Sequence, residues 1–142
     1  MRPKAELFLA LVERCNARVL RTFADAAADA RAAGAPVLPA MGMAYVGLLA
    51  DRALLLNQLN AHAPRDDPAI RDEVRRGFAQ LVELVELETG AGPAAVRDFF
   101  AQGMLLNVLA AMRAEDVDEH WAQVLHAPAG RRLLLSRFLS GE

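Results

Sequence analysis

The chain has 142 residues, of which 54% are hydrophobic and 24% are charged, so it has enough apolar material for one domain with a sizeable core. Its net charge of −2 argues against nucleic-acid binding by this chain alone, because nucleic-acid binders normally carry a basic surface. The single cysteine, Cys15, excludes an intrachain disulfide and is typical of a reducing cytoplasm. No signal peptide is predicted, and we expect a cytoplasmic protein with one domain over residues 1–142.

The first predicted helix extends from about residue 3 to residue 33. Its apolar residues recur three or four positions apart, as on one side of an amphipathic helix. This apolar stripe comprises Leu7, Phe8, Leu11, Val12, Cys15, Val19 and Phe23. Gly34 and Pro36 form a standard stop signal. Because Cys15 lies on the stripe, we interpret it as a small core residue and not as a nucleophile.

The second predicted helix, from about residue 39 to residue 62, carries the most suggestive polar groups. Residues 32–50 lack charge over almost the length of a membrane span, but glycines and prolines interrupt them, and we expect a buried core helix. Tyr45 and Arg52 lie one heptad apart on its apolar stripe. An apolar wall with one hydroxyl and one cation is typical of a small-molecule pocket. The alternative is a core tyrosine and an arginine that pairs with a carboxylate, and the residues alone leave both open.

Two further helices are predicted at about residues 68–88 and 93–113. Asp67 suits the N-cap of the first of them, and Pro68 suits its first position. Between residues 99 and 112 only Gln102 and Asn107 are polar, and a helix that is apolar on every side must be covered on every side. A second copy of the chain is the natural cover. Glycine inside a helix costs about 0.5–1 kcal/mol, so the interior glycines at positions 77 and 103 predict helix crossings.

Residues 114–142 form a tail, with a short helix predicted around Trp121 and a basic amphipathic segment over residues 131–139. No strand pattern occurs, so the predicted fold is all-α, an antiparallel bundle of about five to six helices. His120 and His126 are six residues apart, on opposite sides of a helix, and predict no metal site. No nucleophile–base arrangement is evident, so we expect no catalytic residue, no cofactor and no enzymatic activity.

Four segments, in order, resemble the C-terminal half of transcriptional regulators of the TetR/AcrR family. They are Lys4-Ala-Glu6-Leu7-Phe8, Leu49-Ala-Asp-Arg52, Asp67-Pro68-Ala-Ile-Arg71 and Phe99-Phe-Ala-Gln-Gly-Met-Leu-Leu-Asn107. The resemblance covers roughly residues 4–113. It implies a domain that binds a small effector and forms a homodimer, whereas an N-terminal helix-turn-helix reads DNA in that family. Pro3 stands where the family has a capping hydroxyl, and we expect DNA contact only through an N-terminal domain missing here.

These observations predict two sets of functional residues. The expected ligand pocket for an unknown small apolar or anionic molecule is formed by Met41, Tyr45, Leu48, Arg52 and Leu56, closed by Leu11, Cys15, Val19, Phe100 and Met104. The expected homodimer interface, within residues 67–113, is formed by Val74, Gly77, Phe78, Leu81, Phe99, Gly103, Leu106 and Ala110. Arg52 would orient the ligand, since a guanidinium near an apolar cavity needs an anion, a carbonyl or a carboxylate. The alternative is a free-standing helical protein-interaction domain without a ligand; neither hypothesis involves a membrane.

Overall fold

A computed structural model describes residues 3–51, 53–54 and 66–126. Within these ranges the chain forms five α-helices and no strand, so the predicted all-α class is confirmed. The helices are α1 (Pro3–Ala32), α2 (Val37–Leu48), α3 (Pro68–Thr89), α4 (Pro93–Ala111) and α5 (His120–Leu125), with a short 3₁₀ helix at Ala114–Asp116. Of these described helices, none is both long and apolar enough to cross a lipid bilayer.

The helix ends follow the predicted stop and start signals. Gly34 adopts a left-handed conformation with φ of +66° after α1, and the backbone N–H of Ala35 donates to the carbonyl of Ala30 at 2.8 Å. At the start of α3, the carboxylate of Asp67 accepts from the backbone N–H of Ala69 at 2.9 Å. These contacts satisfy backbone groups that a helix end leaves without intrahelical partners.

The end of α2 differs from the prediction of one helix as far as residue 62. The helix ends at Leu48 and is followed by a turn. The carboxylate of Asp51 accepts from the backbone N–H of Leu54 at 3.1 Å, as an N-cap does, and also forms an ion pair with Arg18 of α1. Because a side-chain cap competes with the helical hydrogen bonds of the preceding turn, Asp51 marks a break. Residues 55–62 of the predicted helix lie outside the described residues.

The main core forms around α1, which packs against both α2 and α3. Its buried members are Cys15, Val19, Phe23, Ala27, Met41, Leu48, Leu54, Val85 and Val96. A smaller cluster joins Leu49 to Ala110 of α4, and the ring of Tyr45 packs against both clusters. The N-terminal part of the α1 stripe departs from the prediction, because the side chain of Leu11 is 46% exposed.

The interior glycines at positions 77 and 103 differ in how closely neighbouring side chains approach them. A Cβ at Gly77 would lie 2.4 Å from Nδ2 of Asn16, so a side chain at position 77 would displace the Asn16 amide. Helices α1 and α3 therefore meet near Gly77 within the chain, and the glycine leaves room for the Asn16 side chain. A Cβ at Gly103 would lie 3.6 Å from the Tyr45 ring, an ordinary contact. Packing therefore does not require glycine at position 103.

Candidate functional site

A cavity of about 580 Å³ lies among α1, α2, α3 and α4. From α1 and α2 it is lined by Val12, Cys15, Asn16, Val19, Phe23, Leu38, Pro39, Gly42, Met43, Tyr45 and Val46. From α3 and α4 it is lined by Val74, Gly77, Phe78, Leu81, Ala95, Asp98, Phe99, Phe100, Gln102, Gly103, Met104 and Leu106. Its volume and mainly apolar lining are those of a small-molecule site.

Five aromatic rings form a continuous chain along the wall. Tyr45 meets Phe23 with ring centroids 5.8 Å apart, and Phe23 meets Phe99 at the same separation. Phe99 then meets Phe100 at 5.6 Å, and Phe100 meets Phe78 at 6.2 Å. The first three pairs are edge-to-face, a favourable arrangement that fixes the rings relative to one another. Since the rings come from four helices, the cavity wall is built by the whole bundle.

The hydroxyl of Tyr45 donates to Oδ1 of Asn107 at 2.5 Å. Asn107 is fully buried, and its Nδ2 lies 3.8 Å from the sulfur of Met104. A buried amide needs such partners, because an unpaired polar group in an apolar interior is costly. The Tyr45 ring thus lines the cavity while its hydroxyl is bound to a side chain behind the wall. Sequence reasoning missed Asn107, although its position as one of two polar residues in the apolar α4 was the available signal.

A second polar group on the wall is Asn16 of α1. Its Nδ2 donates to the backbone carbonyl of Glu73 at 3.2 Å and to the Glu73 carboxylate at 3.3 Å. The buried Glu73 also accepts from Nε and Nη2 of Arg76 at 2.8 and 2.7 Å. The Arg76 guanidinium, together with the hydrogen bond from Asn16, lowers the pKa of Glu73 below its ordinary value. A buried carboxylate therefore holds Asn16 in place. This contact joins α1 to α3, and no pattern in the sequence predicts it.

Cys15 lies on the cavity wall and is itself buried. Burial raises the pKa of its thiol to about 11, an effect only partly opposed by the nearby charge of Arg18. The thiol is therefore protonated at neutral pH and is a poor nucleophile.

The wall carries one charged side chain among the described lining residues. This is Asp98 of α4, which is exposed, as is Gln102 one turn further along the helix. Both residues border the cavity and reach solvent, so they mark the side on which it opens. No group of three His, Cys, Asp or Glu side chains suited to a metal ion occurs in the described part of the chain.

Only some of the predicted pocket residues line the cavity. Cys15, Val19, Tyr45, Phe100 and Met104 line the cavity. Met41 and Leu48 do not, since they are buried in the core, and neither does the exposed Leu11. Arg52 and Leu56 lie outside the described residues. On α2 the cavity is lined from positions 38, 39, 42, 43, 45 and 46, a side of the helix about 100° away from the predicted one, which corresponds to a rotation by one residue.

The residues predicted for a dimer interface lie on the cavity wall or in the core. Val74, Gly77, Phe78, Leu81, Phe99, Gly103 and Leu106 line the cavity, and Ala110 is buried against Leu49. On α4 and its C-cap, the large apolar side chains that reach solvent are Leu105, Val108 and the C-cap residue Met112. We call these three residues the outer α4 stripe. A homodimer stays a prediction, and the exposed apolar surface of α4 lies on this stripe.

Comparisons of the chain with protein-family models, with curated proteins and with solved structures found no match.

Proposed function

We propose that the chain binds a small, largely apolar molecule in the cavity among its first four helices. The observation that carries this proposal is the cavity of about 580 Å³ whose wall holds five aromatic rings. Protein interiors are normally close-packed, so an apolar space of this size is a cost to stability unless it is used. Burial of apolar ligand surface gives about 25 cal/mol per Å², which provides the driving force for binding.

We further propose that binding serves regulation, as the effector-binding and dimerisation region of a TetR/AcrR-like regulator. The resemblance of the four sequence segments supports this role. The position of α1 supports it too, because this 30-residue helix contributes five residues to the wall. A bound molecule would contact the longest helix directly and favour one of its arrangements, which is a population shift.

The outer α4 stripe supports the homodimer part of the proposal and equally the alternative, a helical interaction domain without a ligand. Large apolar side chains on one side of a helix are typical of a surface that a partner covers. Val108→Glu is expected to weaken self-association measured by light scattering at micromolar concentration. The matched control is Val124→Glu on α5, which places the same charge at another exposed valine. A wild-type monomer would contradict the homodimer and leave the interaction-domain alternative.

The ligand proposal is tested at Cys15, the single cysteine, which lies on the cavity wall. The apolar fluorophore N-phenyl-1-naphthylamine is expected to bind with increased fluorescence and to slow the reaction of Cys15 with 4,4′-dithiodipyridine. Val74→Phe, which adds volume to the wall, should weaken both effects. Val124→Phe adds the same volume at an exposed position away from the cavity and should leave both unchanged. If Cys15 reacts at the same rate with and without the bound fluorophore, the cavity is not the binding site.

A further inference from the structure

Among the described lining residues, the charge of the cavity wall comes from Asp98. The other polar side chains on the described wall, those of Asn16, Tyr45 and Gln102, are neutral, and no Lys, Arg or His of the described residues lines the cavity. In that same part of the chain, none of the ion pairs involves Asp98. A ligand therefore meets an apolar interior and, near the opening, a carboxylate that no cation of the described residues pairs with.

The aromatic rings next to Asp98 favour a positively charged ligand, as the carboxylate does. Phe99 and Phe100 follow Asp98 directly on α4, and all three residues line the cavity. The faces of aromatic rings attract cations. The planes of Phe99 and Phe100 are 86° apart, so these two rings meet edge to face and do not stack on each other.

We propose that the cavity takes a flat aromatic cation, with its ring system among the five rings and its positive charge toward Asp98. This inference rests on the proposed ligand-binding function and specifies the class of ligand. A neutral molecule of the same shape gains the apolar contacts alone, whereas an anion must bring its charge to an apolar wall beside a carboxylate. The expectation of an anionic ligand depended on Arg52, which lies outside the described residues.

Three tricyclic compounds of nearly the same shape test the sign of the charge. At pH 7, 9-aminoacridine is a cation, 9-anthracenemethanol is neutral and 9-anthracenecarboxylate is an anion. Their dissociation constants are measured by fluorescence titration at 0.15 M salt. We expect the cation to bind most tightly and the anion least tightly, with the cation preferred to the alcohol by roughly five-fold or more.

A pair of charge-matched variants tests the role of Asp98. Asp98→Asn is expected to weaken binding of 9-aminoacridine by roughly two- to five-fold, the effect of an exposed ion pair, and to leave the alcohol unchanged. Asp72→Asn removes the same charge at an exposed position of α3 that does not line the cavity, and it should leave all three compounds unchanged. Far-UV circular dichroism checks that both variants keep the helical fold.

The outcomes separate this inference from the function on which it rests. Equal affinity for the three compounds, or tightest binding of the anion, would overturn the proposed ligand class while keeping the cavity as a binding site. Asp98→Asn with unchanged affinity for the cation would also overturn it. If neither the three tricyclic compounds nor N-phenyl-1-naphthylamine binds or slows the labelling of Cys15, both proposals are refuted.

Discussion

Replacement of Tyr45 by Phe isolates the hydrogen bond that joins α2 to α4. The change removes only the hydroxyl that donates to Oδ1 of Asn107, and it keeps the ring that packs against Phe23. Asn107 is 0% exposed, so removal of the hydroxyl leaves its Oδ1 buried without this donor. A buried acceptor left without a partner costs about 1–3 kcal/mol. We expect Tyr45→Phe to lower the free energy of unfolding by about that amount.

A double-mutant cycle shows whether the loss comes from this contact. Asn107→Leu in the Tyr45→Phe background replaces the unpaired amide by an apolar side chain of similar size. Because the buried polar group is then gone, the double variant should regain part of the loss. We expect a coupling energy between the two positions of about 1 kcal/mol or more, as for residues in direct contact.

Urea unfolding followed by circular dichroism at 222 nm measures these differences, provided that the variants share one m-value. Gln80→Leu on the exposed side of α3 is the surface control and should change the free energy of unfolding by less than about 0.5 kcal/mol. A Tyr45→Phe loss as small as that of this control would refute the assigned hydrogen bond. Additive effects of the two substitutions would do so as well.

Three further predictions concern stability. Gly77→Ala should destabilise the fold by about 1–2 kcal/mol in urea, because its Cβ displaces the Asn16 amide from the buried Glu73, whereas Gly103→Ala should be neutral or stabilising by up to about 1 kcal/mol. Folding lowers the pKa of Glu73, so its contribution is complete above the unfolded value of 4.5 and is lost as pH falls through the folded value; Glu73→Gln should flatten the acid side of the stability profile, and an unchanged profile would contradict this. Folding raises the pKa of Cys15 from 9.0 to about 11, so the contribution of its thiol to stability is complete below pH 9 and declines as pH rises toward 11. Cys15→Ala should remove this decline, which is measured as the difference between the unfolding free energies of the two proteins across this pH range.

The helix boundaries that the sequence predicts correctly are those marked by backbone chemistry. Gly34 and Gly90 adopt positive φ values that favour glycine, and Asp67 caps α3 ahead of a proline in its first turn. The break after α2 could not be predicted in the same way. The apolar pattern of α2 continues through it, and the residue that marks it, Asp51, is held by Arg18 from a helix 33 residues earlier in the sequence. That contact exists only in the folded chain.

The cavity shows a similar limit. The sequence predicts that α2 meets α1 and α4, and the structure places Cys15, Tyr45, Phe100 and Met104 on one wall. It does not predict which side of α2 faces that wall. Residues 37–48 contain no charged side chain, so the apolar pattern is nearly as strong on one side as on the next, and a rotation of about 100° removes Met41 from the wall.

The sequence does not predict which side of α4 faces the cavity either, and the contact of Asn107 helps to explain the observed orientation. The predicted interface stripe of α4 and the outer α4 stripe lie on nearly opposite sides of the helix at about 100° per residue. Both stripes are apolar, so the apolar pattern of α4 alone does not select between them. Turning the helix would, however, separate the buried Asn107 from the Tyr45 hydroxyl at a cost of about 1–3 kcal/mol. This polar pair therefore favours the side of α4 that lines the cavity in the structure.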